Sequence, residues 1–149
     1  MKTEIKHKYS FKSTPEEVWE YLTRAELLEQ WLMKNNFQLY VGAQFQFFAS
    51  PAPEINFDGN IYCTVLEIIP LKKLSYTWQN GSSNGDGISL DSVVEWTLHR
   101  NGVITELHLL HSGFNIHEHA KLFASMDGGW FKGMSKIDEL LNTLKDGTK

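Results

Sequence analysis

His111 ends the run LHLLH and shares its parity with Leu107 and Leu109. Residues two apart on a strand point to one face, so the imidazole is expected to turn inward with those leucines. An imidazole there can take or give a proton near neutral pH, with Glu67 or Tyr76 as its partner. The plainer reading is a histidine tied to backbone at a strand end. His117 and His119 bracket Glu118. Alternating ligands suit a strand, whereas helical metal pairs sit four apart, so no metal or cofactor site is assigned. His7, His99 and His108 alternate with apolar residues and are expected to face solvent. Cys63 can be a nucleophile only beside a base. A lone strand cysteine reads first as a small buried hydrophobe. Glu67 and Glu95 fit either face, and Asp127 is a single carboxylate rather than an acid/base pair. GxSxG, HExxH and phosphate-loop patterns are absent, so no catalytic constellation is visible and an enzymatic role stays open.

A second pattern suggests binding. The stretch SMDGGWFKGMSKIDELL, Ser125 to Leu141, has the spacing of an amphipathic helix yet carries Gly128, Gly129 and Gly133. Each glycine costs about 1 kcal/mol against alanine in a helix interior. At about 100° per residue, Met126, Trp130, Ile137, Leu140, Leu141 and Leu144 share a stripe with Leu122. Gly129 and Gly133 fall inside that stripe, and Gly128 falls opposite, toward solvent. Either the helix approaches its neighbour closely and glycine makes room, or the missing side chains leave a pocket. Trp31, Phe45, Phe47 and Trp78 are candidate pocket walls, and Trp96, Trp130 and Met134 join them. Tyr76 and His111 would supply polar contacts that orient a ligand.

These residues need elements to hold them. TEIKHKYSF alternates as a strand, with Ile5, Tyr9 and Phe11 on one parity. In STPEEVWEYL, Ser13 or Thr14 can cap a helix, Pro15 suits its first turn, and Glu16 and Glu17 complement its dipole. A second short helix is expected from about Arg24 to Leu32. From Phe37 to Phe114 the pattern is that of strands, including a long one from Gly59 to Ile69 closed by Pro70. Leu74, Tyr76 and Trp78 alternate on the next, and NGSSNGDG, Asn80 to Gly87, reads as a polar loop. Asn101-Gly102 between alternating runs marks a hairpin. The last ~30 residues are helical. Strands segregated from helices predict an α+β fold, with the long helix laid on one face of an antiparallel sheet.

The length of 149 residues suits one domain, 1–149, large enough to bury a core without staples. Aromatic residues at 13% make that core, or a pocket in it, largely aromatic. The net charge of −4 with scattered lysines argues against a nucleic-acid surface. A single cysteine excludes an intrachain disulfide and fits a reducing, cytoplasmic setting. No signal-like N-terminus or membrane-length apolar run appears.

Four segments, in order, resemble one family. They are TPEEVWEYLTRAELLEQWL, the strand LSYTW from Leu74 to Trp78, the strand end LLHSGF from Leu109 to Phe114, and the GW opening the helix Gly129 to Leu144. Together they are similar to the activator of Hsp90 ATPase homologues, within the START-like (Bet v 1-like, polyketide cyclase) superfamily. The resemblance implies a helix-grip fold: a curved antiparallel sheet wrapped around a long C-terminal helix, with two short helices plugging one end. It also implies an apolar cavity between helix and sheet, and hence a small hydrophobic or amphipathic ligand. Alternatives are a cyclase- or hydrolase-like enzyme using the same cavity, or a protein-interaction module of the Hsp90 co-chaperone type. A homodimer is open, whereas nucleic-acid and membrane partners are not expected.

Overall fold

The computed structural model describes residues 2–145, so Met1 and residues 146–149 of the expected 1–149 domain lie outside the described residues. Strand β1 (Lys2–Phe11) opens the fold, followed by helices α1 (Pro15–Thr23) and α2 (Ala25–Trp31). Strands β2 (Lys34–Asn35) and β3 (Gln44–Phe48) come next, then a 3-10 turn at Pro53–Ile55. Strands β4 (Asn60–Ile69), β5 (Lys73–Gly81), β6 (Ile88–Asn101) and β7 (Ile104–Asn115) lead to helix α3 (Ala120–Lys145). The strands form one antiparallel sheet in the order β1-β7-β6-β5-β4-β3-β2, curved and unclosed. With α3 on its inner face, this is the expected α+β helix-grip architecture.

The local chemistry explains the element boundaries. Of the two possible caps, Thr14 starts α1: its side chain accepts from the Glu17 N–H, and the Glu17 carboxylate accepts from the Thr14 N–H. This reciprocal capping box satisfies donors that a helix start leaves unpaired. The hairpin after β6 turns one residue later than the Asn101-Gly102 pattern suggests. Asn101 pairs with Ile104, so Gly102 and Val103 form the loop. Gly102 has φ 65°, and a glycine at the first loop position suits a type II′ turn. Gly113 on β7 has φ 116°, and a methyl group there would lie 2.9 Å from the Asp91 carbonyl oxygen. Glycine is therefore required where β7 bends against β6.

Strand parity builds the inner face. Register sets Trp96 on β6 opposite Leu74 on β5 and Leu109 on β7. Val94 stands opposite Tyr76 and His111. These side chains are buried, as are Leu122, Trp130, Met134, Ile137 and Leu141 on the facing stripe of α3. Leu144, expected on that stripe, is exposed, about one turn beyond Leu141, where the buried stripe ends. His7 corrects another expectation. It shares the inward parity of Ile5, and its Nε2 lies 2.9 Å from both the Asp127 carbonyl oxygen and carboxylate, which joins β1 to α3. Phe131 is half-exposed and packs on the rings of His7 and Tyr9.

Candidate functional site

The middle of the helix–sheet interface is filled with rings. Phe45 meets Tyr76 at 5.3 Å between ring centroids, and Phe47 meets Trp78 at 5.2 Å. Trp130 from α3 lies 5.2 Å from Trp78 and 5.4 Å from Trp96, and Trp31 of α2 lies 5.9 Å from Trp96. Most of these pairs are edge-to-face, the arrangement that ring quadrupoles favour. Met134 is buried among the core residues. The sequence places Phe45, Phe47, Tyr76, Trp96 and Met134 around a pocket, and the fold packs them as core.

The polar groups of this core bond one another. Trp130 Nε1–H donates to His111 Nδ1 at 3.0 Å. That nitrogen is therefore an acceptor, and the proton sits on Nε2, which donates to Ser92 Oγ at 2.8 Å. Ser92 in turn donates to the Trp78 carbonyl at 2.7 Å. Burial pushes the His111 pKa down to about 3, because an imidazolium there would lose its water. His111 is thus a neutral, doubly bonded imidazole. Trp96 Nε1–H donates to the Tyr76 hydroxyl at 3.0 Å, and burial pushes that phenol's pKa up. Glu67 is on the outside, 2.8 Å from Lys73 Nζ, so it does not join His111. Burial also raises the Cys63 thiol pKa, which suppresses the nucleophilic thiolate. His119 accepts from the Asn115 N–H at Nδ1 and holds the Ser89 carbonyl at Nε2, so HEH fastens the start of α3 to β6.

Two glycines on α3 divide the two readings between them. A methyl group on Gly133 would lie 2.8 Å from the Trp31 ring, so glycine there makes room for α2. A methyl group on Gly129 would meet nothing within 4 Å. Gly129 instead borders a groove of about 270 Å3, together with Trp31, Met33, Trp78, Met126 and Trp130. An adjoining recess of about 160 Å3 shares Met33, Trp78 and Met126 and adds Phe57, Asn80 and Leu122. The open space therefore lies toward the N-terminal half of α3. Neither lining contains a charged side chain. Gly128 also has open space around it, and nothing in the structure explains its glycine.

Four of the expected site residues, Trp31, Trp78, Gly129 and Trp130, border the groove. Others were missed for identifiable reasons. Leu122 and Met126 lie on the predicted stripe two and one turns before Trp130, respectively. Asn80 extends the Leu74, Tyr76, Trp78 alternation by one step, but its position in a glycine-rich tract made it look like loop. It is in β5. Phe57 arrives through the 3-10 turn and left-handed Asn56, φ 56°, for which the sequence pattern carried no signal. Two buried polar atoms have no hydrogen-bond partner among the described residues: Trp78 Nε1 and Asn80 Oδ1. Both residues line the recess. A buried group left unpaired costs about 1–3 kcal/mol, so each calls for a reason.

A curved, unclosed antiparallel sheet gripping one long C-terminal helix, with two short N-terminal helices, is the architecture of a START-like domain of the Bet v 1-like superfamily. The profile described as Activator of Hsp90 ATPase homolog 1-like protein matches residues 12–142, and the chain belongs to that family. The crystal structure of MLL2253 from Mesorhizobium loti is 31% identical, with a TM-score of 0.82 over 94% of this chain and 97% of that one. BH1534 from Bacillus halodurans is 24% identical, with a TM-score of 0.71 over 92% and 95%. Aha1 from Colwellia psychrerythraea, solved in solution as a dimer, is 19% identical, with a TM-score of 0.71 over 92% and 94%. The last two similarities carry the fold alone. No curated protein matches the chain. Among the described residues, no helix is long and apolar enough to cross a membrane.

Proposed function

We propose that this protein binds a small hydrophobic or amphipathic molecule in the groove beside Gly129. The observation that carries the reading is that Gly129, unlike the equally unhindered Gly128, borders an aromatic groove with no charged side chain. Gly129 weakens a long helix by about 1 kcal/mol, yet no neighbour demands it. Any larger side chain would project into the groove. Local rules broken without a structural gain are expected at functional sites. The walls are aromatic and aliphatic, so covering ligand surface contributes about 25 cal/mol per Å2 of apolar area. Met33 and Met126 flank the space, and their flexible thioether chains let the walls adapt to a ligand's shape.

A thermal-shift screen against fatty acids, sterols and aromatic metabolites tests this reading. A ligand that binds only the folded state raises the melting temperature. Gly129→Leu should fill the groove, leave the protein at least as stable, and abolish the shift. Hits that persist undiminished in Gly129→Leu would place binding elsewhere.

A further inference from the structure

We infer that the ligand of this groove is uncharged and brings both a hydrogen-bond acceptor, for the Trp78 indole N–H, and a donor, for the Asn80 side-chain oxygen. The inference rests on the groove beside Gly129 being a binding site. Trp78 is 1% exposed and Asn80 2%, and the two orphaned atoms are complementary, one donor and one acceptor. The residues sit two apart on β5 with the same parity, so both side chains project to the same face of the sheet. The neighbouring polar groups do not compete for the ligand. Trp130, His111 and Ser92 satisfy one another, and Trp96 bonds Tyr76.

The lining selects against the other ligand classes. It holds no Lys, Arg, His, Asp or Glu, so an ionised head group would leave water without a counter-charge. A purely apolar ligand would cover the groove and leave both atoms unpaired. A site built to hydrogen-bond its ligand rejects the analogue that lacks the polar groups. Both atoms lie beneath the groove surface. Reaching them requires the lining to yield, and the half-buried Met33 and Met126 are its most flexible members.

Three probes on one frame test this: naphthalene, 6-hydroxy-2-naphthamide and 6-hydroxy-2-naphthoate, titrated calorimetrically into the full chain at about pH 7.5, where the last is an anion. The neutral amide should bind roughly ten-fold more tightly than either other probe. Asn80→Leu and Trp78→Phe should each remove most of that preference, read as the ratio of amide to naphthalene affinity within the same variant, because both residues also line the space. Asn80→Leu should keep or raise the melting temperature, since it deletes an unpaired buried oxygen, and so it separates lost recognition from unfolding. Naphthalene binding as tightly as the amide, or a preference that survives both substitutions, would overturn the inference and leave the groove standing as a site. Binding of no probe, with Gly129→Leu indistinguishable from the parent, would overturn the groove reading and the inference together.

Discussion

The two halves of α3 treat a missing side chain in opposite ways. At Gly133 the place of the absent methyl group is taken by the Trp31 ring, and α2 is drawn tight against α3. At Gly129, one turn earlier on the same stripe, nothing fills the space. One helix thus seals the aromatic core at its C-terminal half and leaves a groove open at its N-terminal half. A glycine in a helix carries no fixed meaning. What stands opposite it decides whether it serves packing or access.

The largest effect should come from Trp130, which borders the groove and also donates to His111 in the core. Trp130→Ala should destabilise the fold by about 3–5 kcal/mol in chemical denaturation, through lost ring contacts and an orphaned imidazole nitrogen. A loss below about 1 kcal/mol would mean the rings are loosely packed. Next in size is acid sensitivity. The unfolded chain protonates His111 near its ordinary value of about 6.5, whereas the folded chain resists until about pH 3. Between those values unfolding takes up a proton, so this contribution is complete above pH 6.5 and is lost as pH falls. Below about pH 6 the wild type should lose up to ~1.4 kcal/mol per pH unit more than His111→Asn does. Equal slopes in the two proteins would contradict a neutral, buried His111.

Smaller effects sharpen the contrast between the glycines. Gly133→Ala should cost about 1–3 kcal/mol, because overpacking against Trp31 outweighs alanine's better helix propensity. Gly129→Ala should stabilise by up to about 1 kcal/mol, since only propensity changes. The same mutation, one turn apart, should therefore change sign. Two shifts of the same sign would erase the distinction.

The fold was legible because its signals are local and repeated. Thr14, Pro15 and Glu17 mark a helix start, and Leu74, Tyr76 and Trp78 mark an inward strand face. The site was legible only in part. Helical spacing places Gly129 and Gly133 on one stripe, but whether a ring stands opposite depends on α2, a hundred residues earlier in the chain. His111 was readable as inward, yet its commitment to Ser92 and Trp130 joins three separate elements, and sequence spacing does not encode that. Asn80 was obscured by its glycine-rich neighbours, although parity with Trp78 pointed to it. Phe57 depends on a left-handed Asn56, where residue type alone gives little guidance.

The central claim is that the core is closed and the groove beside Gly129 is the ligand's place. The most direct test is a heteronuclear NMR titration with 6-hydroxy-2-naphthamide, followed on the indole N–H signals of the five tryptophans. The account predicts shifts at Trp78, Trp130 and Trp31, which border the groove, with Trp78 moving most. Trp96, bonded to Tyr76 inside the core, and Trp19, on α1 away from the groove, should stay still. Movement of Trp96 as large as that of Trp78 would put the ligand inside the aromatic core and contradict the account.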